Sequence, residues 1–251
     1  MILRNGLPST GNDLVLDDGL QFGRGAFETL RVTDRPLFLQ QHCDRINLAL
    51  ERLDIPRSVA LESVSGLIEQ HGIRDCVLKI LVTRENELLI TRPFPYPPET
   101  YGRGFHLAIT DTRRSSTSPL TSIKTLNYLE NLLAREAAVA SGSDDVLFVN
   151  ERGEMAETTA SNLFFVNDGI LYTPEAGCGL LEGIVRQWVM EMFHVRTGRY
   201  PLDVLRVAEE AFVTNSVLGI MPVAAVGGQD IPRGDFTQGL MELYEEFVTS
   251  I

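Results

Sequence analysis

Cysteine is scarce in this chain: Cys43, Cys76 and Cys178 are its only thiols in 251 residues. They are odd in number, widely spaced, and accompanied by neither a CxxC pair nor neighbouring histidines, which argues against a disulfide framework or a zinc site. Buried free thiols are the expectation. No apolar run approaches the length needed to span a bilayer, and the opening MILRNG has no signal-type hydrophobic segment, so a cytoplasmic protein is expected. Positive charge is also short, with 22 Lys and Arg against 34 Asp and Glu for a formal net charge of -12. That balance argues against nucleic acid or an anionic membrane as the main partner, because phosphate would be repelled over most of the molecule. An anionic ligand must therefore find a local basic or backbone-amide site. Repeats and low-complexity tracts are absent. His42, His71, His106 and His194 show no metal-ligand spacing and read as packing or surface residues.

What is present alternates in type. Ile46, Ala49, Leu50 and Leu53 recur at helical spacing, as do Val64, Leu67 and Ile68 ahead of a His71-Gly72 stop. CVLKILVT and ELLIT then read as strands. The Pro- and Gly-dense RPFPYPPETYGRG is the candidate linker, with a boundary near Tyr101 dividing residues 1–100 from 101–251. Beyond it FHLAIT, DVLFVN, NLFFV and ILYT read as strands. Leu129, Leu132, Leu133, Ala137 and Ala140 form a helix face, as do Ile184, Val185, Trp188, Val189, Met192 and Phe193. Phe236, Leu240, Leu243, Tyr244 and Phe247 close the chain in an amphipathic helix. The pattern predicts a mixed α/β or α+β chain in two lobes, an architecture whose domain interface favours a ligand pocket.

Several segments carry chemistry. In GLLEGIVR, Gly179 and Gly183 lead directly into an apolar-periodic helix, leaving unpaired amides where a phosphate could sit; an ordinary strand-to-helix loop has the same look. The turn Thr214-Asn215-Ser216 offers a hydroxyl and amides to the same kind of anion. Lys124 stands between Ile123 and Leu126, at the expected start of a helix. A desolvated lysine suits Schiff-base chemistry, although a snorkelling surface lysine would give the same pattern. Glu157, in EMAETTASNLFF, is placed to meet a buried base or else is a solvated loop acid. Arg45, in HCDRI, either clamps a phosphate or pairs with Asp44.

Taken in order, LRNG, DDGLQFGRGAFETLRV, HCDRI, IKTLNYLENLLAREAA, EMAETTASNLFFV, YTPEAGCGLLEGIVRQ and EEAFVTNSVLGIMPV resemble the class IV, fold type IV enzymes that use pyridoxal 5'-phosphate (PLP). That family includes D-amino-acid transaminases, branched-chain aminotransferases and aminodeoxychorismate lyases. The resemblance implies a smaller N-terminal α/β domain and a larger C-terminal domain with the cofactor in the cleft between them. It makes Lys124 the Schiff-base lysine, Glu157 the partner of the pyridine nitrogen, and Arg45 the phosphate arginine. Ile184 and Val185 would give amides and Ser216 a hydroxyl to the phosphate, and Leu181 an apolar contact to the ring. Tyr128 would approach the phenolic oxygen, while Ser161, Asn162, Gly183 and Asn215 complete the cofactor-binding set. The implied partners are a small amino acid and a 2-oxo acid, and the implied assembly is a homodimer.

The reaction is less sharply implied. A transaminase for small amino acids, D-configured ones included, is the first expectation. TNSVLGIMPV looks closer to the aminodeoxychorismate lyase pattern, which makes pyruvate release the second; a non-catalytic PLP-binding protein is a distant third. The substrate-gripping loop usual after this strand is missing, since VTRENELLITR passes straight from one strand to the next. Phe27 and Thr29 are expected on the substrate side. Arg24, Arg84 and Arg92 are rival grips for the substrate carboxylate, with Arg24 equally readable as a surface residue paired with Asp17 or Asp18.

Overall fold

The computed structural model describes residues 1–250. The chain divides into two compact units, Met1–Pro95 together with Ile123–Tyr128, and Tyr96–Ser122 together with the chain from Leu129 onward. The division falls before the Tyr101 expected from composition. Pro98–Arg103 is a short helix of the second unit rather than linker, and the Tyr101 hydroxyl donates to the Leu218 carbonyl at 2.8 Å.

The first unit contains β1 (Ile2–Arg4), β2 (Leu7–Pro8), α1 (Asp18–Phe22), β3 (Ala26–Val32), α2 (Leu39–Arg52), α3 (Leu61–Gln70), β4 (Cys76–Val82) and β5 (Glu87–Arg92). The strands form one antiparallel sheet in the order β2-β1-β5-β4-β3. Strand β3 alternates: Ala26, Leu30 and Val32 join the core with Leu39, Cys43, Ile46 and Leu50 of α2, and Val64 and Ile68 of α3. Phe27, Thr29 and Arg31 consequently take the opposite face of the sheet. The turn from β4 to β5 is held by Asp17, which also caps α1. Its carboxylate accepts from the Thr83 hydroxyl at 2.5 Å, the Glu85 amide at 2.9 Å and the Leu20 amide at 3.1 Å.

Residues 123–128 return to this unit as an added extended segment. Ala26 pairs with Thr125, the Phe27 amide donates to the Lys124 carbonyl at 2.9 Å, and the Leu126 amide donates to the Gly25 carbonyl at 3.0 Å. Close approach explains Gly25, where a Cβ would fall 2.6 Å from Leu126 and 2.8 Å from the Val82 carbonyl. Lys124 therefore does not start a helix, as its sequence neighbourhood suggests. The helix begins only at Leu129, after Lys124 has been paired to β3.

The second unit contains α4 (Pro98–Arg103), β6 (Phe105–Arg114), α5 (Leu129–Ala140), β7 (Asp145–Asn150), β8 (Met155–Thr158), β9 (Asn162–Asn167), β10 (Ile170–Pro174), α6 (Ile184–Met192), β11 (Val195–Gly198), β12 (Glu210–Asn215), β13 (Gly219–Val226), β14 (Gln229–Asp230) and α7 (Asp235–Ser250). Its sheet runs β11-β10-β9-β12-β13-β6-β7-β8, with β14 on β13. Strand β8 also pairs with β9 through Glu157 and Asn162, so the strands from β9 round to β8 close on themselves. Closure pairs the ring from β9 to β8 on itself, with β10, β11 and β14 outside it, around a core that includes Leu107, Leu147, Met155, Leu163, Phe165, Val213 and Met221. On α5 the expected apolar face points outward: Leu129, Leu132 and Leu133 are exposed, whereas Asn131 and Ala138 are buried. Among the described residues no helix is long and apolar enough to cross a membrane. Cys43 and Cys178 are buried thiols whose pKa is pushed up to about 11, chiefly by burial, and they are inert at neutral pH.

Replacing Asp17 by Ala removes four hydrogen bonds, from Leu20, Thr83, Glu85 and Asn86, on one buried carboxylate and is expected to cost about 2–3 kcal/mol. Urea unfolding measures it, and an unchanged midpoint would contradict the role given to Asp17.

Candidate active site

In the first unit two side-chain groups flank β3. On one face, Lys124 carries its Nζ 4.7 Å from the centre of the Phe27 ring and 5.9 Å from that of Tyr128. Phe27 and Tyr128 meet edge to face at 5.3 Å. Two aromatic walls around a half-buried amine restrict its rotamers and remove part of its water.

On the opposite face of β3 is a carboxylate that sequence reading missed. Glu28 is fully buried. Its Oε1 accepts from Arg45 Nε at 2.7 Å and its Oε2 from Arg45 Nη2 at 2.8 Å, while His42 Nδ1 lies 2.6 Å from Oε2. His42 and Arg45 are three residues apart on α2 and so project from one side of it. Arg45 is held by Glu28 rather than by Asp44, whose carboxylate takes Gln40 instead. Burial pushes the Glu28 carboxyl up, but Arg45 first and His42 second outweigh it and hold the group well below the usual range. His42 is pushed down, mainly by burial. Its Nε2 has no partner among the described residues, so a second ring proton would be buried without an acceptor. The ring is therefore neutral, with Nδ1 donating to Glu28.

The rival arginines differ in their commitments. Arg24 donates from Nε to the Leu53 carbonyl at 2.9 Å and from Nη2 to the Asp54 carbonyl and carboxylate, each at 3.3 Å, with Asp18 3.6 Å from Nη1. It closes the C-terminal end of α2, where a cation also complements the helix dipole, and its neighbour Asp18 is one of the two acids named for its alternative reading as a surface ion pair. Arg84 is an exposed residue beside Glu85. Arg92 ends β5 on the same face of the sheet as Thr29 and Phe27.

In the second unit the strand-closing pair Glu157–Asn162 organises the loop before α6. Asn162 accepts from the Gly183 amide at 3.0 Å and donates to the Leu181 carbonyl at 2.7 Å. A Cβ on Gly183 would fall 2.2 Å from Asn162 Oδ1, so the loop needs glycine there. Glu157 Oε2 accepts from the Leu181 amide at 3.1 Å, and its Oε1 lies 3.5 Å from Arg114 Nη2. Arg114, also missed from the sequence, lies over Phe148 at 4.1 Å and donates to Glu130 at 2.9 Å. Two consecutive arginines ending a strand must face opposite ways, so the buried one needs a carboxylate; that was the available signal. The first bond within α6 runs from the Gln187 amide to Gly183, leaving the Ile184 and Val185 amides without an acceptor in the helix. Asn215 donates to Ser161 at 2.9 Å and accepts from the Val217 and Leu218 amides, each at 2.8 Å, which shapes the turn bearing Ser216.

Comparison with known proteins gives these arrangements a context. The family model described as "Amino-transferase class IV" matches residues 25–226. A putative branched-chain-amino-acid aminotransferase of Methanocaldococcus jannaschii is 29% identical, with 94% of this chain and 91% of the relative covered. An aminodeoxychorismate lyase of Bacillus subtilis is 28% identical, with 100% and 96% covered. Among solved structures, a T.th. branched-chain amino acid aminotransferase with pyridoxamine 5'-phosphate superimposes with a TM-score of 0.88 at 25% identity, covering 99% of this chain and 94% of that one.

The Glu28 cluster predicts how stability responds to acid. His42 has a lower pKa folded than its ordinary 6.5, so below pH 6.5 the unfolded chain takes up a proton that the folded chain does not, and stability falls. Below 4.5 the same applies to Glu28. In urea titrations, His42→Gln is expected to abolish the loss of stability between pH 7 and 5 attributable to the imidazole. Parallel pH profiles for parent and variant in that interval would contradict a neutral buried His42.

Proposed function

Because the chain belongs to the class IV amino-transferase family, whose enzymes depend on PLP, we propose that it is a transaminase moving an amino group between a small amino acid and a 2-oxo acid, with Lys124 as the covalent anchor. The observation that carries this reading is an amine held against Phe27 and Tyr128 by backbone pairing. When bound, PLP supplies an electron sink for the pair released as the substrate Cα–H bond breaks.

The residues present suit that cofactor. Glu157, fixed by the Leu181 amide and Arg114, is assigned to hold the proton on the pyridine nitrogen. Arg45, aligned by Glu28, the open amides of Ile184 and Val185, and the Ser216 hydroxyl are assigned to the phosphate. Leu181 contributes apolar contact to the ring, and Tyr128 the phenolic hydrogen bond. Ser161, Asn162, Gly183 and Asn215 hold the loops that present these groups. With the cofactor in place, the Lys124 amine would serve as the base that takes and returns the substrate's Cα proton. Phe27 and Thr29 line the substrate side. The outward apolar stripe of α5, with Leu129, Leu132, Leu133 and Val139 exposed, supports a homodimer.

A second reading is pyruvate release from aminodeoxychorismate, favoured by TNSVLGIMPV and by the full-length similarity to a lyase. The two readings use the same residues and differ in outcome: a proton would be returned in transamination, whereas a leaving group would be lost in elimination. Holoprotein mixed with single amino acids and no acceptor is expected to convert spectrally to the pyridoxamine form, and Lys124→Ala to slow that conversion by about 10²–10⁴-fold. Pyruvate formed only from aminodeoxychorismate would support the lyase. Inertness toward every amino acid and aminodeoxychorismate would end both readings.

A further inference from the structure

The first turn of α6 contains a cation where helix electrostatics disfavours one. Arg186 is the third residue of the helix, and only 3% of its side chain is exposed. Unpaired amides make the amino end of a helix positive, so acids are favoured there and cations are not. The side chain does not escape that end. Helical side chains lean back toward the amino terminus, and both contacts of Arg186 lie on that side. Nη2 donates to the carbonyl of Pro174, the last residue of β10, at 3.1 Å, and Nη1 stands 3.7 Å from the carboxylate of Glu182, two residues before the helix begins.

The charge is only partly answered. Arg45, Arg103, Arg114, Arg152 and Arg199 each have a carboxylate oxygen at 2.6–2.9 Å, and each is more exposed than Arg186. Glu182 is farther off and largely exposed, so water screens it. The Nε of Arg186 is buried without a hydrogen-bond partner among the described residues. Burial, which Glu182 offsets only in part, pushes the guanidinium's pKa down from its ordinary value. A neutral amide could make the bond to Pro174, whereas a full charge in this place is useful only toward another charge. A buried cation and the positive end of α6 thus stand together, and an anion at the open amides of Ile184 and Val185 offsets both. In a chain with a net charge of -12, an incoming dianion depends on such a local field.

Resting on the assignment of the α6 amides to the cofactor's phosphate, we propose that Arg186 is a positioning residue for that phosphate, its buried charge strengthening the field at the amino end of α6 and holding the dianion there through the helix amides rather than by contact. Glu182 sets how much of that charge is felt. The bond to Pro174 fixes the guanidinium at the first turn, so the field is in place before the phosphate arrives.

The test is equilibrium binding of PLP and of pyridoxal, which lacks the phosphate, to the full chain freed of coenzyme. The ratio of the two dissociation constants isolates the phosphate, because a disturbance at the ring or at the Lys124 imine weakens both ligands alike. Arg186→Met is expected to lower the preference for PLP about tenfold or more, the loss of one charge acting on a dianion across a partly screened distance, and Arg186→Lys to restore most of it. Glu182→Gln should raise the preference, an effect of opposite sign that a purely structural role for the pair does not produce. An unaltered preference in Arg186→Met would overturn the proposal, as would Arg186→Lys binding no better than Arg186→Met. If Arg186→Met does not fold, Glu182→Gln decides, and a preference that stays level or falls overturns the proposal. A parent that binds PLP no more tightly than pyridoxal would end the cofactor reading by itself. Calorimetric titration with inorganic phosphate then reads the dependence on Arg186 directly, and parent and Arg186→Met behaving alike in it would end this proposal too.

Discussion

The arrangement depends on a short stretch of backbone pairing between the start of β3 and residues 123–128. The Phe27 amide bonds to the Lys124 carbonyl, Ala26 bridges Thr125, and Leu126 bonds back to Gly25. Those bonds fix the main chain on both sides of the lysine, so its amine is confined by Phe27 and Tyr128 rather than free to sample solvent. A long, flexible side chain loses much of its entropy in such a setting, and that loss is incurred on folding instead of at each encounter with a ligand. Pre-organisation of this kind is what a covalent cofactor anchor needs.

Strand β3 serves two tasks because successive side chains leave it on opposite sides. Phe27 meets the lysines, and Glu28 meets Arg45 and His42. A carboxylate with no exposure is tolerated only because a bidentate guanidinium and an imidazole satisfy it. The same logic recurs in the second unit, where Glu157 is steadied by an amide and an arginine while the loop before α6 hangs from Asn162. In both places the residue with a proposed chemical task is held by a charged neighbour that has none, Glu28 beside Arg45 and Arg114 beside Glu157.

Much of this is legible in the residues, for identifiable reasons. The runs CVLKILVT, DVLFVN and NLFFV read as strands because they are apolar and largely buried, and α2, α6 and α7 read as helices because their apolar spacing is helical. Strand β3 is harder to see, because Glu28 and Arg31 interrupt its apolar pattern and their partners lie elsewhere in the chain. Lys124 reads as a helix start because LNYLENLLAREAA is locally helical, whereas the pairing that holds it extended comes from residues 25–27, far upstream. Arg24 stands in a segment that suggests a pocket, yet its guanidinium is drawn to the carbonyl end of α2. Lys79 looks like one polar letter in an apolar strand, and its amine, 4.2 Å from the centre of the Phe27 ring, is placed there by a strand pairing that the local residues do not show.

The scarcity of lysine in the chain makes the central claim easy to test. Reducing the holoprotein with borohydride and mapping its peptides offers only two side-chain amines for the coenzyme, at positions 79 and 124. With Lys124 as the anchor, the added mass falls on the peptide containing Lys124 alone. Label on Lys79, or none on either, would contradict it.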